Sequence, residues 1–388
     1  MREDGWVSVV ARIEAWPVNV PLTATYLMAP GSYPGMSRTV VRVTTNDGVV
    51  GVGETPAATD AVLLAGEVGA ALIGRETSLV RRELGHRAGP AWRPAGAAVV
   101  TPSATAGVEI ALWDIAAREA GLPLHALLGE PVRKEIAFTE YFAPRPGLEE
   151  SPAEIASYCA SMVDVHGSPA FEGKVGVLPP AEELELVRLV REAIGPARML
   201  RLDANMGWSL GTAQAMLARL EEYSVANVEE PVATFGELAS LRAVSAIPFS
   251  SHTPDLDGAA SLGVPDTLVL GVGACGGIEG PLRFVDRCAA AGIGFWFYSG
   301  DLGIATAAQL HVTAVSPTVA QPSQSLLRWA ADDVTSEGPF VPEQGVVAVP
   351  EGPGLGVTLD EAALDRCVER FAREGEYDLY SGPPLPRY

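Results

Sequence analysis

Phe171-Glu172-Gly173-Lys174-Val175-Gly176, Arg201-Leu202-Asp203-Ala204-Asn205 and Val228-Glu229-Glu230-Pro231 are three short runs that each set a charged residue, Lys174, Asp203 or Glu229, toward the end of a strand candidate. Each is followed by a stretch whose apolar residues recur at three- and four-residue spacing, as in Ala181–Ile194, Leu210–Tyr223 and Phe235–Ser245. Strand, polar end, helix is the repeating unit of a parallel α/β sheet.

The unit recurs on both sides of these three runs. Strand candidates lie at Ile136–Tyr141, Ala170–Val175, Leu200–Met206, Ala226–Val232, Ile247–Thr253, Thr267–Gly273, Gly294–Ser299 and Thr318–Gln321, with further helical patterns at Ile278–Ala291 and Ile304–Val315. A repeat of roughly 20 to 35 residues predicts a β/α barrel over residues 131–345, and an open doubly wound sheet is the alternative. Residues 1–130 read differently. Two β-rich runs, Val9–Val20 and Arg38–Val52, flank an irregular Thr23–Gly35 segment, carry a hairpin signal at Asn46-Asp47-Gly48, and lead into helical material. They predict a separate α+β domain, completed by residues 346–388, where β and turn signals precede a helix near Leu364–Arg373.

A net charge of −21 argues against nucleic acid, which such a field repels, and means that an anionic substrate needs a local positive centre. The acidic start MREDGWVSVV does not resemble a secretory signal, and no apolar run of about twenty residues predicts a membrane span. Cys159, Cys275, Cys288 and Cys367 are isolated, as expected for reduced thiols in a cytoplasmic protein. A homo-oligomer is expected, of unspecified order.

In a β/α barrel the functional groups stand at the C-terminal ends of the strands. There, Lys174 is one of only two lysines, against 25 arginines. An ammonium can be tuned to lose its proton near neutral pH and a guanidinium cannot, so Lys174 is the candidate base. Period-two alternation puts Asp203 and Asn205 on one face. Asp203 and Glu229, at the ends of neighbouring strands, would repel each other unless a cation lay between them, and oxygen ligands suggest magnesium. Such acids also cap the following helices, and the two roles can coexist. Gly271-Val272-Gly273-Ala274-Cys275-Gly276 matches a dinucleotide-binding pattern, but it falls at the sixth strand, not at the opening of a domain.

With these residues in place the chain resembles the enolase superfamily, its mandelate racemase-like members and most closely the glucarate dehydratase branch. The resemblance rests on Gly51-Val52-Gly53-Glu54-Thr55-Pro56, Ala111-Leu112-Trp113-Asp114-Ile115 with Leu127-Leu128-Gly129, Lys174-Val175-Gly176-Val177-Leu178-Pro179, the Asp203 and Glu229 runs, Trp208-Ser209 and the tail Val347–Val357. It covers nearly the whole chain. It implies a modified (β/α)7β TIM-type barrel with an α+β capping domain, and Mg2+ bound by Asp203 and Glu229 to a small-molecule carboxylate substrate. Lys174, matching the second lysine of a Lys-x-Lys motif, would take the α-proton, and the metal would stabilise the enediolate. Thr23–Gly35 matches a mobile capping loop.

The departures fall on the chemistry. Glu172 replaces the first lysine of Lys-x-Lys, where a carboxylate favours the charged form of Lys174. The third metal ligand falls at His252 or Thr253, and imidazole is softer than magnesium prefers. Tyr298 takes the place of the histidine of the second acid/base dyad, whose aspartate partner is missing from Leu268–Ala274. The expectation is therefore a divergent lyase or isomerase with catalytic Lys174 and Tyr298, metal ligands Asp203, Glu229 and His252, and substrate contacts Asn205, Tyr26, Tyr33 and Arg38. Tyr26, Leu27, Met28 and Tyr33 in the capping segment suit an acid less hydroxylated than a sugar acid. The alternative from another class is a barrel retained as a binding or scaffold protein after losing magnesium chemistry.

Overall fold

A computed structural model describes residues 8–85, 101–298 and 301–377; the expected strand end at Ser299 and the extreme N- and C-terminal residues lie outside this range. Parallel strands β5 (Glu140–Phe142), β6 (Ala170–Lys174), β7 (Met199–Asp203), β8 (Asn227–Glu229), β9 (Phe249–Ser251), β10 (Thr267–Leu270) and β11 (Gly294–Phe297) pair in chain order into one sheet. Each connection carries a helix, from Pro152–His166 to Glu279–Ala290, and Gly303–Ala314 follows the last strand. The sheet closes on itself through residues 323 and 324. Gln324 N donates to Phe297 O at 2.9 Å, and Thr139 N donates to Ser323 O at 2.8 Å.

The eighth strand expected at Thr318–Gln321 is not formed. Pro317 and Pro322 flank that segment, Val319 N turns back to Ser316 O, and closure is reduced to an isolated bridge between Phe138 and Ser323. The first expected strand is split in two. Residues 135–137 (β4, Glu135–Ala137) pair antiparallel with β12 (Val346–Ala348), whereas β5 begins the barrel. Most of the other strands stop two or three residues short of the expected ends. The polar residues beyond them curl into turns, with Asn205, Met206 and Glu230 all at positive φ.

Strand alternation sorts the side chains. Phe171, Leu200, Leu202, Val228 and Phe249 face outward and pack against Leu186, Val187, Val190 and Leu217 of the surrounding helices. The helix boundaries are written locally. Ser151 and Glu154 form a capping box before Pro152–His166, and Gly167 ends that helix in the left-handed conformation.

An antiparallel sheet of β1 (Val10–Met28), β2 (Gly31–Thr45) and β3 (Val50–Thr55) lies under helix Pro102–Ala120. The helix approaches β3 at two glycines, and a Cβ on Gly53 would lie 1.8 Å from Gly107 O. Asp114, fully buried, accepts from Val52 N at 3.0 Å and Leu355 N at 2.8 Å, tying helix, sheet and the later loop together. The C-terminal helix Glu361–Glu374 packs against β1, where Arg370 donates to Asn19 O at 2.8 Å. Among the described residues no helix is long and apolar enough to cross a membrane, and the four cysteines are unpaired.

The Thr23–Gly35 segment, expected to be irregular, is the outer half of the β1–β2 hairpin. After a break in register between Pro21 and Tyr26, the strands pair again at Tyr26–Tyr33, Leu27–Ser32 and Met28–Gly31, turning at Ala29-Pro30. The hairpin reaches over the barrel, with Leu27 N donating to Pro144 O at 2.9 Å and Ala331 N to Pro21 O at 2.9 Å. Its tip rests on the turns after β6 and β7. A Cβ on Gly207 would come within 2.7 Å of the Ala29 Cβ and 2.9 Å of Gly176 O. The glycine-rich 271–276 stretch serves a similar purpose: Gly273 and Gly276 abut Pro56 and Pro102 of the capping layer, so the small residues allow close packing and do not cradle a phosphate.

Gly53→Ala should lower stability by roughly 3 kcal/mol, because neither backbone at this crossing can move aside without opening the buried layer. Denaturant unfolding checks this, and Gly211→Ala, where a Cβ meets nothing and the backbone is not left-handed, is the comparison for a glycine lost without a clash.

Candidate active site

The register of the sheet decides where the chemistry can occur. Lys174 on β6 pairs with Asp203 on β7, and Asp203 pairs with Glu229 on β8, so three charged side chains from adjacent strands stand at one level. All three are buried and point inward. Two residues earlier, by alternation, lies a second polar level of Glu172, Arg201 and Asn227. A barrel interior is ordinarily filled with branched apolar residues; this one is charged.

The charges are matched in pairs. Lys174 Nζ donates to Asp203 Oδ2, and His252 Nε2 lies 2.7 Å from Glu229 Oε1. Burial disfavours the Lys174 ammonium, but Asp203, with Tyr141 and Tyr26 nearby, outweighs it and holds the lysine charged well above its ordinary range. Burial likewise raises Glu229, but His252 dominates and brings it down to about 2. On the lower level Arg201 pairs with Glu172 at 2.9 Å and stacks on Trp296, its guanidinium carbon 4.3 Å from the ring centroid. Burial pushes Glu172 up to about 7 even so.

The two levels are joined by Gln324. Its amide donates to Glu172 Oε1 at 2.5 Å and to Glu229 at 3.0 and 3.1 Å. Ser250 Oγ adds a donor to Glu229 Oε2 at 3.0 Å.

Over residues 154–363 the chain matches the family model described as "Enolase C-terminal domain-like", and over residues 7–129 the "Mandelate racemase / muconate lactonizing enzyme, N-terminal domain". The chain belongs to the enolase superfamily, among its mandelate racemase-like members. It is similar to a probable glucarate dehydratase of Streptomyces coelicolor, with 29% identity covering 85% of this chain and 84% of that protein. A chloromuconate cycloisomerase of Cupriavidus necator is 30% identical over 88% of this chain and 94% of its own. The crystal structure of an enolase from Thermobispora bispora, complexed with magnesium and formate, superposes with a TM-score of 0.85 at 25% identity, covering 97% and 99% of the two chains.

In this superfamily member Asp203, Glu229 and His252 present ligand atoms within 4.8 Å of one another. The donor set fits a divalent cation. Two carboxylates supply charge, and His252 Nδ1, 3.1 Å from Val269 O, is turned so that Nε2 faces the carboxylates. Of the two residues considered for the third position, His252 reaches the cluster, whereas Thr253 is exposed and its N–H donates to Ser251 Oγ. Glu230 turns to the next strand, accepting from Ser251 Oγ and His252 N, each at 3.0 Å.

Asn205 lies beyond the end of β7, so strand alternation does not place it. Its position is set by a left-handed turn in which its N–H donates to Asp203 Oδ1 at 2.9 Å, and its own Oδ1 is buried without a hydrogen bond. Tyr298 has its ring edge-on to His252, centroids 5.2 Å apart, in space left by Gly271, whose absent Cβ would lie 2.8 Å from the ring. Tyr26 and Tyr33 stack at 5.4 Å and, with Tyr141 and Trp329, form an aromatic roof; Tyr141 places its ring 5.7 Å from Lys174 Nζ.

Arg38, expected to contact substrate, is buried between the capping sheet and the barrel. It donates to Ser37 O and Pro56 O and lies 3.8 Å from Glu54 and 3.7 Å from Asp301. Glu54 in turn accepts from Leu302 N and Ala305 N at the start of helix Gly303–Ala314. Sequence reading missed Gln324, Arg201 and Tyr141. Arg201 and Tyr141 were open to the alternation and strand-end arguments already applied to Asp203 and Lys174, while Gln324 follows a strand that does not form.

His252 ties the site to pH. Burial lowers its pKa, but Glu229 outweighs burial and carries it from 6.5 up to about 9. A folded pKa above the unfolded one gives stability that is complete below pH 6.5 and lost as pH rises through 9. In metal-free buffer the protein should therefore lose about 1–2 kcal/mol between pH 6 and 10, after allowance for screening at this partly exposed side chain. His252→Gln should flatten that slope in thermal unfolding, and an unchanged slope would count against the pair.

Proposed function

We propose that this protein is an isomerase or lyase that removes the α-proton of a small carboxylate, with Lys174 as the base. The observation that carries the reading is the single level formed by Lys174, Asp203 and Glu229 across three adjacent strands. Similarity to a dehydratase and a cycloisomerase supports the same class. Asp203, Glu229 and His252 would hold a divalent cation, which when bound would supply positive charge where the substrate carboxylate becomes more negative; the Thermobispora relative is complexed with magnesium.

The remaining steps belong to the chain. Burial works to deprotonate Lys174, and Asp203 opposes it. A cation bound at Asp203 would weaken that carboxylate's hold on the ammonium, and burial would then lower the Lys174 pKa so that an unprotonated amine is present to accept a proton. Glu172 does not reverse this, because its charge is answered by Arg201 and Gln324 one level below. Tyr298 is kept a neutral phenol, with burial raising its pKa and Asp301 adding to the effect. It can donate a proton or a hydrogen bond to a departing or newly charged oxygen. The roof of Tyr26, Tyr33, Tyr141 and Trp329 fits an acid with few hydroxyl groups, since unpaired hydroxyls against aromatic faces lose their hydrogen bonds to water.

Lys174→Ala should reduce exchange of a substrate α-proton with deuterated solvent by about 10²–10⁴-fold or more, while circular dichroism and metal binding stay as in the wild type. Asp203→Ala should abolish metal binding in calorimetry. Undiminished exchange in Lys174→Ala would refute proton abstraction by this residue.

A further inference from the structure

Around the cation position the side chains are not equivalent in chemistry. Asp203 and Glu229 offer oxygen, but the third ligand atom is a ring nitrogen. His252 cannot readily present anything else. Nδ1 sits 3.1 Å from the carbonyl of Val269, which can only accept, so Nδ1 carries a proton and the neutral ring has its lone pair on Nε2. That nitrogen is 2.7 Å from Glu229 Oε1, inside the cluster. A backbone carbonyl holding the far nitrogen of an imidazole is the usual support of a metal-ligating histidine.

Its neighbours at the same strand end do not replace it. Thr253 is exposed, and Glu230, the other buried carboxylate on this side, is turned to Ser251 Oγ and the His252 N–H at 3.0 Å each. Magnesium binds oxygen and is indifferent to imidazole, whereas first-row transition ions gain from a nitrogen ligand.

We infer that the Asp203, Glu229 and His252 site selects a divalent transition ion such as manganese or cobalt over magnesium, with His252 as the residue that sets the preference. The inference rests on the cation reading of the proposed function and goes past it, since magnesium is the ion seen in the Thermobispora relative.

The test is binding and spectroscopy of the full chain stripped of metal with a chelator, with Mn2+ and Mg2+ as probes. Calorimetry should show Mn2+ bound more tightly than Mg2+. Pulsed electron paramagnetic resonance of the Mn2+ form should show coupling to one imidazole nitrogen. In His252→Glu the nitrogen coupling should vanish and the Mn2+-to-Mg2+ affinity ratio should shrink by about tenfold or more. His252→Asn, a smaller oxygen donor, should act in the same direction and serves if the Glu variant fails to fold. Mn2+ binding that depends on Asp203 but shows no nitrogen coupling, or an affinity ratio unchanged by both substitutions, would overturn the preference and leave the cation site standing. No binding of either ion to the wild type would remove both readings together.

Discussion

Charge inside a closed barrel has to be answered within the barrel, because the wall excludes the water that would otherwise screen it. Here that requirement is met on two levels. The upper one holds Lys174 against Asp203 and His252 against Glu229, and the lower one holds Arg201 against Glu172. Gln324 connects them by donating to a carboxylate on each. The lower level is enclosed, with Glu172 and Arg201 both buried. The upper level is the one whose pairs can be exchanged for a ligand. A site whose acids already have partners has its charges answered without cargo, and those partners become available as reactive groups when the acids are engaged elsewhere.

The substitution at position 172 takes its meaning from this balance. A glutamate two residues before the base reads, along the chain, as an influence that would keep Lys174 charged. In the fold Arg201 arrives from the neighbouring strand at 2.9 Å and takes up that charge, so the pair acts as one unit. Replacing Glu172 by lysine without changing Arg201 would set two cations side by side in a buried layer. The two positions therefore have to be considered jointly, as contacting residues generally do.

The barrel was legible because strand ends and helix periodicity are local properties, and so were Lys174, Asp203 and Glu229, which stand on regular strands where alternation holds. Legibility failed where a residue's place depends on the distant chain. Gln324 lies in a closing segment with prolines on either side and a single bridge to its neighbour, with no pattern to mark it. Asn205 is set by a turn, not by a strand. Arg38 carries the same charge a substrate-binding residue would, and only the approach of Glu54 and Asp301, one from the capping sheet and one from the barrel, shows that it joins the two. The choice between His252 and Thr253 turned on which side chain points back into the sheet, a matter of three dimensions.

The hairpin tip has a consequence for how such a site can change over time. Ala29 rests on Gly176 and Gly207, in the very turns that follow Lys174 and Asp203. A roof mounted on separate loops could be remodelled for a new acid while the chemistry beneath stayed still. In this arrangement any bulk added at the tip presses on the turns that aim the base and the first carboxylate, so selectivity and rate are mechanically linked. Divergence toward new substrates would then proceed through the aromatic positions set back from the tip, Tyr26, Tyr33 and their neighbours, and the tip itself would be the last part to vary.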